Sequence, residues 1–233
     1  MTVTLAQART EVRSLLNEAS PVMWTDAQLN NWVNQGCSDI ARRAEILWQQ
    51  VDISVSPLVQ NYPFPADFLS CHRAEFTLGG TSGTGSMTYT LEYREVNTMD
   101  EVWGILHSLP AAWPQWFTIR GNTALGFFLQ IYPVPGAAGL LTLDYYRQAA
   151  AATNDDQNLD LMSGWEDIVY DYAVYKAMRK NRDPAWQEAF QLYEGNLVTM
   201  MNRTRSMTDL GGQVTSAAPA YPIYAYGPAA SDY

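Results

Sequence analysis

Histidine and cysteine are almost missing from this chain: two of each in 233 residues. The pairs His72 and Cys71, and Cys37 and His107, lack the short repeated spacing of a zinc site, and two cysteines make no disulfide framework. Buried free thiols are the expectation for both. With so little histidine and no G-x-S-x-G elbow, a Ser-His-Asp arrangement has nothing to work with. Charge is also scarce, at 16% of residues, and its balance is acidic: the formal net charge is −10. A surface that grips nucleic acid neutralises phosphates with Lys and Arg, so that class is disfavoured. No apolar run approaches the roughly 20 residues that cross a bilayer. The N-terminus carries no basic leader ahead of an apolar stretch, so the chain is expected to be soluble and unsecreted.

Two apparent motifs fail on inspection. The Gly-Ser stretch at 79–86 has no Lys behind its glycines and no G-x-G-x-x-G spacing, so it is expected to be a flexible connection rather than a phosphate cradle. Asn154, Asp156, Asn158 and Asp160 alternate like a calcium loop, but Leu159 and Trp165 stand where an EF-hand needs Gly and Glu. An acidic loop ahead of a helix N-terminus is the expected reading, its charge favoured by the dipole. Acidic pairs such as Asp100 and Glu101 could be nominated as acid and base, as in any acidic chain. No cofactor, no metal and no enzymatic activity are expected.

What the chain does have is apolar residues, 47%, with eight Trp and fourteen Tyr. Leu5, Ala8, Val12, Leu15 and Leu16 follow a helical period over residues 5–19, with Thr4 as N-cap. A second helix is predicted over residues 25–50, opened by a Thr25–Gln28 capping box and running through Leu29, Trp32, Val33, Cys37, Ile40, Ala44, Leu47 and Trp48. From Val51 the pattern alternates, and turn residues break it into a small antiparallel β unit of five to seven strands over residues 51–148. Within it, residues 115–135 read as two strands around a Gly-Asn turn, and residues 97–106 as a short helix.

Helix then returns. Ser163 and Glu166 have capping-box spacing, and Trp165, Ile168, Val169, Tyr172, Ala173, Val174 and Ala177 form a wide apolar face expected to be core against the second helix. Asp183 caps a further helix with Pro184 in its first turn. There Trp186, Phe190, Tyr193, Leu197 and Met200 step by four, three, four and three, the narrow seam of close helix packing. Beyond Thr208 the chain is rich in Pro, Gly and Ala and cannot build a core. Its aromatic residues suit an arm that orders on a partner.

The fold class expected is α+β. A four-helix bundle-like body comes from the N-terminal helices (1–50) and C-terminal helices (149–208). A small antiparallel β domain (51–148) is inserted between them, and an extended arm (209–233) follows.

The order of segments carries a resemblance. Trp24 to Asp26 open the second helix, "YPFPADF" (62–68) enters the β unit, "IYPVP" (131–135) ends a strand, and "YDYAVYKAMRK" (170–180) returns to helix. In this order and spacing, residues 10–205 resemble the head-to-tail adaptor (connector) proteins of tailed bacteriophages. The resemblance implies a structural protein of the virion neck, assembled in the host cytoplasm as a ring, usually of twelve copies. The ring docks on the portal after DNA packaging, extends the DNA channel without sequence-specific binding, and offers an attachment site to tail or nozzle proteins. Trp186, Phe190, Tyr193 and Leu197 would then serve helix and neighbour contacts. Tyr221, Ile223, Tyr224 and Tyr226 would dock the arm on the portal. A tail-completion or tail-tube component is the alternative, and a small-ligand binding module a more distant one.

Overall fold

The computed structural model of the chain describes residues 2–18, 22–79, 87–97, 112–122 and 126–212. Helix α1 (Leu5–Leu15) starts from a full capping box. The Thr4 hydroxyl accepts from the Gln7 amide, and the Gln7 side chain accepts from the Thr4 amide at 2.9 Å. Leu5, Ala8 and Val12 are its buried stripe. It stops short of the expected residue 19, because Asn17 takes a left-handed φ of 54°.

Helix α2 (Asp26–Ala44) opens on the Thr25–Gln28 box as the sequence indicates. It ends six residues earlier than the period suggests. Glu45 adopts φ 49° as a left-handed cap, and Leu47 and Trp48, at helical spacing, belong instead to the chain turning into strand. Leu47 is buried in the bundle core all the same, which is why its spacing mimics a helix.

Eight strands follow among the described residues: β1 (Trp48–Val55), β2 (Asn61–Pro63), β3 (Phe68–Leu78), β4 (Met87–Thr90), β5 (Glu92–Tyr93), β6 (Trp116–Asn122), β7 (Gly126–Tyr132) and β8 (Gly139–Arg147). They form two four-stranded sheets, ordered β1-β8-β3-β4 and β2-β7-β6-β5. Every pair is antiparallel except β5 with β6. Alternation sends Val55, Ala74, Phe76, Leu141 and Leu143 of one sheet and Tyr62, Phe117, Leu129 and Ile131 of the other into one shared core. The count exceeds five to seven because β2 and β5 are too short to leave an alternating pattern. At Gly139 a Cβ would lie 2.4 Å from the Phe76 ring and 2.7 Å from the Thr77 carbonyl, so only glycine lets β8 pass there. Strands β6 and β7 pair as expected, but the expected turn residues Gly121 and Asn122 are the last two of β6, paired with Phe127 and Gly126; residues 123–125 between the strands lie outside the described residues, as does nearly all of the short helix expected over 97–106.

Helix α3 (Glu166–Lys180) does not use the Ser163 box. Gly164 turns left-handed at φ 93°, the helix begins one residue past Trp165, and Glu166 accepts from the Gly164 amide at 2.8 Å instead. The break before the last helix is tight: Arg182 has φ 57°, and the Asp183 carboxylate accepts from the Ala185 amide at 2.9 Å. Helix α4 (Trp186–Gly212) then runs four residues past Thr208. Helices α3 and α4 pack on each other and on α2, and α1 on α2 and α3, around a second core separate from that of the sheets. Between β8 and α3, the Asn/Asp loop is tied down by ion pairs: Asp155 to Arg9 and Asp160 to Arg147. Arginine partners, rather than a helix dipole, hold these carboxylates below their ordinary value.

Candidate assembly surfaces

The α4 seam divides between interior and surface. Tyr193 and Leu197 are 1% and 0% exposed and, with Met200, belong to the bundle core. The Tyr193 hydroxyl donates to Asp39 of α2 at 2.6 Å, and its ring meets Tyr172 edge-on. Burial, reinforced by Asp39, pushes its phenol well above the usual range. One turn of α2 further on, Arg43 grips Glu194 in a bidentate pair at 2.6 and 2.7 Å. That geometry fixes α4 against α2 and raises the Arg43 guanidinium above its ordinary value. Trp186 is half-buried under Arg179, and Phe190 is exposed beside Tyr175. So the structure places Tyr193 and Leu197 in contacts within the chain, and Trp186 and Phe190 where a neighbour could reach them. The stripe before Asp183 and the seam after it both feed one core.

The outward side of α4 was not singled out by the seam. Leu192 is 56% exposed and Val198 48%, with Gly195 between them facing open space. Helical spacing puts these three on one face. The signal in the sequence was two apolar residues out of phase with the seam.

The β unit carries a second apolar surface, at the end away from the helices. At the near end the Arg147 amide donates to the carbonyl of Leu47, whose side chain is buried in the helical core, and the Gln148 amide donates to the Asp67 carbonyl. The opposite end exposes Leu58, Val59, Met87 and Trp113. Leu58 is fastened there through its amide to Pro135. Among the described residues, the segments 56–60, 112–115 and 133–139 at this end contain no charged residue. A shallow cavity of about 260 Å³ beside Trp113 is walled by Phe76, Leu78 and Pro114.

A larger cavity of about 320 Å³ opens between the sheets, lined by Phe68, Cys71, Phe117, Ile119 and Phe127. Burial pushes the Cys71 thiol up to about 12, so it is protonated at neutral pH and a poor nucleophile. His72 borders the cavity and meets Tyr146 edge-on. Among the described residues, no three His, Cys, Asp or Glu side chains gather as metal ligands. Cys37 and Cys71 are both free thiols, the first buried and the second half-buried. The arm candidates Tyr221, Ile223, Tyr224 and Tyr226 lie outside the described residues.

No curated protein matches the chain. Among solved structures, it is similar to a chain from the neck of an empty GTA particle computed with C6 symmetry. The two share 13% identity over 75% of this chain and 80% of that one, with a TM-score of 0.25. The sequence matches the SU10 adaptor protein family over residues 3–220, a span that takes in both helical pairs and the whole β unit. The chain therefore belongs to the SU10 adaptor protein family and is an adaptor of the tailed-phage head-to-tail class.

Proposed function

We propose that this chain forms the ring, of twelve copies, that joins a phage portal to its tail. The ring docks beneath the portal after packaging, extends the DNA channel, and carries tail or nozzle proteins, with no catalytic step of its own. The observation that carries this reading is the family match across residues 3–220. The two exposed apolar surfaces support it. A ring that closes by rotation needs two unlike contact faces on each copy, and a connector needs a further face for its neighbours along the axis. Leu192, Val198, Trp186 and Phe190 on and around α4 serve the contact between copies. The apolar distal end of the β unit, with Leu58, Met87 and Trp113, serves the tail proteins. Residues 213–233 reach the portal through Tyr221, Ile223, Tyr224 and Tyr226, because aromatic side chains anchor a segment at low entropic cost. A wall with net charge −10 per copy repels phosphate and lets DNA pass without being held.

Native mass spectrometry of the chain mixed with its portal tests the reading. A complex with several copies of the chain on one portal ring is expected. A strict monomer that ignores the portal would overturn it.

A further inference from the structure

Two groups of cations stand out among the described residues of this acidic chain. Arg9, Arg13, Arg42 and Arg43 on the first two helices, and Arg73 and Arg147 in the β unit, each hold a carboxylate within ion-pair distance. At the C-terminal end of α3 the pattern changes. Lys176, Arg179, Lys180 and Arg182 pair with no carboxylate among the described residues. Three of them rest on aromatic rings instead: Lys176 is 5.3 Å from the Tyr172 centroid, Arg179 5.7 Å from Trp186, and Lys180 5.6 Å from Trp32. Arg179, Lys180 and Arg182 are exposed. The nearby Asp183 carboxylate is spent on capping.

The other end of α3 is the reverse. Glu166 and Asp167 open it, and Glu11 of α1 stands beside them. All three act on the Tyr170 phenol, which burial and these carboxylates push up to about 12. None of the three pairs with a cation among the described residues, and Arg203 at that end lies over Trp165 instead. The helix dipole favours this order of signs along α3. It does not call for Glu11 on a different helix, or for Arg182 beyond the last turn.

We infer that the cationic end of α3, Lys176, Arg179, Lys180 and Arg182, docks on the acidic end of a second copy, formed by Glu11, Glu166 and Asp167. The inference rests on the ring reading and names the charges that set its direction. Unlike poles separated by a helix of about 22 Å give each copy two complementary faces, as a head-to-tail contact requires. The other end of the same helix offers the complementary charge, so a second copy is the occupant that matches the patch in sign and spacing. The aromatic rings hold the lysine stems in place, so little freedom is lost on docking.

A charge-swap experiment on the full chain tests this. One variant carries Lys180→Glu and Arg182→Glu, the other Glu11→Lys and Asp167→Lys, each checked for native circular dichroism. Sedimentation equilibrium should show each variant alone associating at least about tenfold more weakly than the wild type, and the mixture associating again. Wild-type association should also weaken as salt rises. Variants that associate as well as the wild type, or a mixture that stays apart while the wild type assembles, would overturn the charge pairing and leave the ring reading standing. A wild type that stays monomeric while the mixture associates would overturn the ring reading alone. If wild type and mixture both stay monomeric, both fail.

Discussion

Tyr193 on α4 donates its hydroxyl to Asp39 on α2 across 2.6 Å, and the tyrosine doing so is 1% exposed. A residue that the resemblance offers for helix or neighbour contacts thus closes the bundle of a single chain. Its removal tests that assignment. Tyr193→Phe should cost about 1.5–3 kcal/mol, the range for a hydrogen bond to a charged group, and Tyr193→Ala about 3–5 kcal/mol. Urea unfolding of the two variants checks the ordering.

Leu197 and Leu192 lie five residues apart on α4 with opposite fates, 0% and 56% exposed. Leu197→Ala is expected to lose about 2–5 kcal/mol of stability, while Leu192→Ser stays within about 0.5 kcal/mol. If Leu192 serves the contact between copies, its substitution shows in sedimentation and not in the unfolding curve.

Two glycines give opposite results on changing to alanine. Gly139→Ala drives a methyl into the Phe76 ring and the Thr77 carbonyl, and should destabilise by about 1–3 kcal/mol. Gly195→Ala meets open space in mid-helix and should stabilise the chain by about 0.5–1 kcal/mol. Thermal unfolding of both variants beside the wild type measures the contrast.

Alkaline pH should weaken the fold over a defined window. Burial raises the phenols of Tyr89, Tyr145 and Tyr170 from the ordinary 10 to about 12, and Tyr193 is raised further by burial and Asp39. A folded value above the unfolded one means that the stabilisation is complete below pH 10. It is lost as pH climbs through 12, because the unfolded chain releases those protons first. Tyrosinate absorbance and the urea midpoint, followed together, should show that loss; a midpoint constant across the window would contradict it.

At the corner between α1 and α2, Glu18 accepts from the backbone amides of Val22, Met23 and Trp24 and pairs with Arg13 at 2.9 Å. Burial alone would raise its carboxyl, but the three amides and Arg13 outweigh it and hold it below the ordinary value. Stability from this group is therefore present above about pH 4.5 and lost as pH falls below it. Glu18→Gln should lower the urea midpoint at pH 7 and flatten its acid dependence, while Glu188→Gln on the outside of α4 should do neither.

Where local chemistry decides, the sequence was readable. Thr4 and Thr25 are caps because a hydroxyl followed three residues later by glutamine satisfies two orphan amides at once, whatever lies beyond. The α+β class followed from the change of period near Val51. Reading failed where one backbone angle overrode a pattern. Glu45 turns left-handed and takes Leu47 and Trp48 out of a helix whose spacing they fit, and Gly164 does the same to the Ser163 box. The seam on α4 showed which residues pack and could not show against what. Whether Tyr193 meets Asp39 of its own chain or of another depends on tertiary contacts 154 residues apart. The acidic loop misled for a like reason, its arginine partners being supplied by α1 and β8.

The most direct test of the adaptor reading is electron cryomicroscopy of a particle assembled with this chain. A closed ring of the chain between portal and tail is expected, with residues 213–233 against the portal and the distal end of each β unit against tail or nozzle proteins. Density for the chain elsewhere in the particle, or a ring that makes no contact with the portal, would contradict it.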